Sequence, residues 1–107
     1  MTKHGLTKAE LNIISNILSE YSSIDHVILF GSRAMGTHRD ASDIDMVIQG
    51  KNIPAFLAAR LKTRFEEETN IPYFFDVIDY NTISNEALKK HIAEHGVVMY
   101  SKHASRA

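Results

Sequence analysis

Four short runs of strand-forming residues limit what this chain can fold into, because most of the segments between them carry helical spacing. The runs are HVILF (26–30), DIDMVI (43–48), YFFDVIDY (73–80) and VVMY (97–100). They are rich in Val, Ile, Phe and Tyr, and Gly31 and Gly50 close the first two. Ahead of them, LTKAELNIISNILSEY (6–21) repeats Leu11, Ile14, Leu18 and Tyr21 at helical intervals. Thr7 and Glu10 have the spacing of a capping box at its start. Pro54 suits a first helical turn, and Leu57, Leu61 and Phe65 fall at i, i+4 and i+8, which predicts a helix over 54–69, ended by Asn70 and Pro72. Ser84 is the expected N-cap of a third helix, NEALKKHIAEH, with Leu88 and Ile92 inward and Gly96 at its end.

Residues 31–42 read as a polar loop that opens with one turn of helix at Ser32. The order α-β-β-α-β-α-β predicts an α/β (α+β) fold, a small mixed sheet of about four strands with helices packed on one face. The 107 residues suit a single domain over 1–107, with SKHASRA (101–107) as a polar, frayed tail.

Charge and cysteine usage narrow the function. Twelve basic against 13 acidic residues give a net charge of −1, which argues against a free-standing nucleic-acid binder. The chain has no cysteine, so disulfides and thiolate metal sites are excluded. No apolar run has the form of a signal peptide or a membrane span, and the expected location is the cytoplasm.

The chemistry-bearing residues concentrate in GSRAMGTHRDASDIDMV (31–47). In a strand, Asp43 and Asp45 project to one face while Ile44 and Met46 face the other way. Two adjacent carboxylates repel unless water or a cation intervenes, and oxygen donors favour a hard ion, Mg²⁺ or Mn²⁺. Asp76 lies inside the apolar third run and points away from Asp79. If the second and third strands are neighbours, Asp43, Asp45 and Asp76 converge on one metal site. The loop before them looks built for an anion. Gly31 allows close backbone approach, Ser32 offers a hydroxyl and N–H groups, Gly36 is a second permissive point, and Arg33 and Arg39 add positive charge. It is neither a Walker loop nor a dinucleotide fingerprint. Taken singly, a Gly-Ser pair is most often a turn, an Asp-x-Asp a solvated edge, and Asp76 a hydrogen-bonded core acid. Together at one strand–loop–strand junction they favour a site.

Gly31-Ser32, ten intervening residues, Asp43-x-Asp45 and then FFDVID resemble the signature of the DNA polymerase β-like nucleotidyltransferase superfamily. The short length is similar to its smallest branch, the minimal nucleotidyltransferases. The resemblance implies that Gly31 and Ser32 hold a triphosphate, that Asp43 and Asp45 bind Mg²⁺, and that Asp76 binds the catalytic metal and helps to deprotonate the attacking hydroxyl. It implies attack on the α-phosphorus of ATP, with AMP transferred to a tyrosine of a small helical HEPN-domain toxin encoded nearby. The chain would then be that toxin's antitoxin, in a hetero-oligomer with it. Met35 departs from the Arg or Lys that many relatives carry there.

Other readings compete. His91, Glu94 and His95 form an H-x-x-E-H pattern like that of an inverted zinc peptidase, but no Asp, Glu or Cys follows to complete the ligand set. His38 is expected to be a solvated loop histidine, and His4, His26 and His103 carry no signal. The main rival is a non-catalytic nucleotide-binding module that neutralises or scaffolds its partner by contact alone. A small-molecule nucleotidyltransferase would need a further helical domain.

Overall fold

The computed structural model describes residues 4–39 and 41–102. In chain order the elements are α1 (Lys8–Leu18), β1 (His26–Phe30), α2 (Gly31–Met35), β2 (Ile44–Gln49), α3 (Leu57–Glu67), β3 (Phe75–Asp79), a 3₁₀ turn (Tyr80–Thr82), α4 (Glu86–His95) and β4 (Val97–Ser101). The four strands form one mixed sheet in the order β3-β2-β1-β4. β1 runs antiparallel to both β2 and β4, while β2 and β3 are parallel.

α1 begins with the capping box that its sequence announces. Glu10 N–H donates to the Thr7 hydroxyl at 3.0 Å, and Thr7 N–H donates to the Glu10 carboxylate at 2.9 Å. The helix is shorter than its apolar spacing suggests, ending at Leu18, although Leu6 ahead of it is fully buried. α3 likewise starts at Leu57 rather than Pro54, because residues 54–57 form a turn closed by Leu57 N–H on the Pro54 carbonyl. At α4 the N-cap is Asn85, not Ser84. The Asn85 Oδ1 accepts from both Ala87 and Leu88 N–H groups, which satisfies two open donors of the first turn.

The pleat sorts the sheet into two faces. Val27, Leu29, Ile44, Met46, Ile48, Phe75 and Val77 pack on α1 and α3 through Ile14, Leu18, Leu57, Leu61 and Phe65. Phe65 stacks on Phe75 with ring centroids 4.7 Å apart. The alternate residues Phe30 and Val47, flanked by Ile28 and Ile78, pack against Ile92 and Leu88 of α4. Helices on one face only is therefore corrected within an otherwise expected architecture, since α4 covers the second face. The two parallel crossovers, β2-α3-β3 and β3-α4-β4, run in opposite directions across the sheet. Crossovers of one hand then place their helices on opposite faces.

α3 also closes the outer edge of β3. Ile44 N–H donates to the Phe74 carbonyl at 2.9 Å, so the N–H and carbonyl of Phe75 point away from β2. Glu66 accepts that N–H at 2.7 Å and Lys62 donates to that carbonyl at 2.9 Å. The two side chains pair with each other at 2.6 Å. The lysine and the amide hydrogen bond hold the Glu66 carboxyl below its ordinary range.

Two expected boundaries shift. β3 is shorter than 73–80, because Tyr73 packs outside the strand and the Asp79 carboxylate starts the 3₁₀ turn by accepting Asn81 N–H. The tail expected to fray from 101 is held through 102, since Ser101 ends β4 and Lys102 N–H donates to the Asp25 carbonyl. Residues 103–107, His103 among them, lie outside the described residues.

Candidate functional site

The end of β1 turns directly into α2, and Gly31 is the hinge. Its φ of 74° lies in the region that favours glycine. Phe30 pairs with Asp45 across β1 and β2, so Gly31 sits against the Asp45 carboxylate, and a Cβ at Gly31 would collide with Asp45 Oδ2. Ser32 follows, half-buried, and its hydroxyl has no hydrogen-bond partner among the described residues. The polar loop therefore opens with helix as expected, one residue earlier than Ser32, and Gly36 closes that helix in the left-handed conformation.

The acids come together by register. Asp45 on β2 pairs with Asp76 on β3, and Asp43 lies one residue ahead of β2 rather than within it. By the pleat, Asp45 and Asp76 share the face of Val47 and Ile78, the side that α4 only partly covers. Asp43 and Asp76 are exposed and Asp45 is half-buried. The Asp45 carboxyl is pushed up to about 6, first by burial, then by the charges of Asp76 and Asp43, with Arg33 opposing. Asp79 takes no part, being the cap of the 3₁₀ turn.

A carboxylate crowded by two neighbouring acids belongs to a donor set suited to a hard divalent cation, which would relieve the same repulsion. As the side chains stand, no three acids or histidines among the described residues are gathered closely enough to chelate an ion. The residue types and the charge fit, and the register sets Asp45 and Asp76 opposite each other.

Arg33 corrects the sequence reading. Its side chain is 1% exposed. Nε and Nη2 donate to the Ser42 carbonyl at 3.1 and 2.8 Å, and Nη1 donates to the His4 carbonyl at 2.9 Å. The guanidinium also lies 4.3 Å from the centre of the Tyr73 ring. It is committed to holding the loop and is not free to grip a phosphate; toward Asp45 it acts only through its field. Arg39 remains exposed. Its N–H donates to the Ser42 hydroxyl at 2.7 Å and its carbonyl accepts Ser42 N–H at 3.0 Å, a turn that leads into Asp43.

One residue at the site was not expected there. His91 of α4 accepts the Gly31 N–H on Nε2 at 3.0 Å. Its ring meets Phe30 edge-on at 6.3 Å and lies 5.3 Å from His95. A shallow groove along α3, lined by Phe56, Arg60 and Glu68 among others, contains none of these residues.

Comparison with known proteins gives the family and the fold. Residues 12–105 match the Polymerase beta, Nucleotidyltransferase family. A Haemophilus influenzae protein named probable protein adenylyltransferase MntA is 36% identical over 78 residues, covering 72% of this chain and 68% of its own. Among solved structures, a toxin–antitoxin complex with AMP-PNP superposes with a TM-score of 0.70 at 16% identity, over 94% of this chain and 77% of that one. A tri-AMPylated Shewanella oneidensis HEPN toxin in complex with an MNT antitoxin gives 0.69 at 15% identity, over 94% and 76%. At such identities the structural likeness speaks for the fold.

Proposed function

The chain belongs to the polymerase beta nucleotidyltransferase family, and on that premise we propose that it transfers AMP from ATP to a hydroxyl of a partner protein. The observation that carries the reading is the junction itself: a glycine-hinged loop whose serine hydroxyl has no partner among the described residues, set beside Asp45, whose proton affinity is raised by burial and by the charges of Asp76 and Asp43. Gly31 and Ser32 would seat the triphosphate, and the exposed Arg39 would add positive charge to the loop. Asp43, Asp45 and Asp76 would hold Mg²⁺ or Mn²⁺, which supplies charge neutralisation at the phosphates. Asp76, on the outer strand, would receive the proton of the attacking hydroxyl. The new bond joins that oxygen to the α-phosphorus, the bond from the α-phosphorus to the bridging oxygen breaks, and pyrophosphate leaves.

The acceptor is proposed to be a tyrosine of a HEPN-type toxin, with this chain as its antitoxin. The named relative and the toxin complexes support a HEPN-type toxin as the partner. No helix among the described residues is long and apolar enough to cross a membrane, which is compatible with a cytoplasmic encounter. Incubation of the genetically adjacent partner with this chain, Mg²⁺ and ATP should add whole AMP units by intact-protein mass spectrometry, and Asp43→Asn should add none. A partner that binds and is neutralised without gaining mass would replace the enzyme with a contact-only module.

A further inference from the structure

We propose that His91 is a positioning residue for the phosphate-binding loop, fixing the peptide at Gly31 in the orientation that leaves Ser32 open to ligand. The inference rests on the nucleotide-binding reading of Gly31 and Ser32. Its observation is separate from that reading: a hydrogen bond from the Gly31 N–H to His91 Nε2 at 3.0 Å, across 60 residues of sequence.

Gly31 holds a φ of 74°, and a glycine moves between positive and negative φ more easily than any other residue. A loop hinged there is ordered only if something outside it holds the hinge. Neighbouring strands hold Phe30, and α2 begins at Gly31 itself. The Gly31 N–H, which a first helical turn leaves without an intrahelical acceptor, is taken up by His91. The histidine is in turn placed by its chain neighbour Ile92, which is buried against Phe30 and Val47, and by its edge-on contact with the Phe30 ring. For Nε2 to accept, the ring must be in the form that carries hydrogen on Nδ1. α4 thus reaches the site through one nitrogen atom. Loss of that acceptor frees the hinge, and ordering it again then opposes ligand binding.

The test compares His91→Ala, His91→Asn and His91→Gln by titrating each with a non-hydrolysable ATP analogue in Mg²⁺. A glutamine carboxamide can place its oxygen where Nε2 stands, whereas the asparagine oxygen falls near Nδ1. Binding by the Ala and Asn variants is expected to weaken about fivefold, the effect of one net hydrogen bond, with Gln within about twofold of wild type. In partner modification the loss should appear in KM for ATP rather than in kcat. A merely structural role would lower the melting temperatures of the variants without separating Gln from Asn in nucleotide affinity. Equal affinity for all four proteins, or a Gln variant as weak as Ala, overturns the inference and leaves the nucleotide reading standing. A folded wild type that does not bind the analogue overturns both.

Discussion

Asp45 and Asp76 stand opposite each other in the parallel register of β2 and β3, two acids on neighbouring strands with a third, Asp43, just ahead. Burial, and then the charges of these two neighbours, make the native protein bind a proton at Asp45 more tightly than an ordinary carboxyl does, near pH 6 rather than 3.8. Because the native pKa is raised, the penalty is present in full above pH 6 and is relieved as the pH falls through 6 toward 4. Asp45→Asn should raise the stability of the metal-free protein at pH 8, by on the order of 1 kcal/mol after discounting for the half-exposed site. The gain should fade by pH 5. Melting curves in a chelator at pH 8, 6 and 5 check the sign. Adding Mg²⁺ at pH 8 should raise the wild-type melting temperature and leave that of Asp45→Asn nearly unmoved.

Gly31→Ala meets two obstacles, the positive φ and the Asp45 carboxylate. It should cost about 1–3 kcal/mol of stability in urea unfolding. In an Asp45→Ala background the cost should be smaller, because the carboxylate is gone and only the backbone strain remains. A double-mutant cycle reads the difference.

The two arginines of the loop should separate cleanly. Arg33→Met removes the hydrogen bonds that the guanidinium donates to the Ser42 and His4 carbonyls and should cost about 2–4 kcal/mol. Arg39→Ala removes an exposed side chain and should change stability by less than about 0.5 kcal/mol while weakening nucleotide binding. Paired unfolding and nucleotide titrations distinguish a strut from a contact.

Glu66→Ala should expose the Phe75 amide. Its hydrogen exchange should accelerate well ahead of that of amides inside the β1–β2 ladder, because the glutamate is its acceptor. In the wild type the Glu66 contribution is present above the ordinary carboxylate range and lost as the pH falls through its lowered value.

Local chemistry made much of this legible. Thr7 and Glu10 announce a helix start because a capping box is complete within four residues. Asp45 shares a face with Val47 because strand alternation has a fixed period, whereas Asp43 lies one residue ahead of the strand and outside that rule. What stayed hidden depends on distant chain segments. The role of Arg33 is set by carbonyls at His4 and Ser42 and a ring at Tyr73, three separate stretches, while the sequence shows only a cation in a polar loop. Leu88 and Ile92 mark a buried stripe, but only the order of strands decides which face receives it. His91 looked like half of a zinc motif because its true partner lies 60 residues away.

The Glu66–Lys62 plug at Phe75 has a bearing on crowding in the cell. β3 is an outer strand, and an open outer strand invites another chain to add to the sheet. Here the outward N–H and carbonyl next to Asp76 are already engaged, so a visiting polypeptide finds no backbone ladder to extend at that point. The margin of the site thus screens out the sticky, sequence-blind pairing through which nascent strands aggregate.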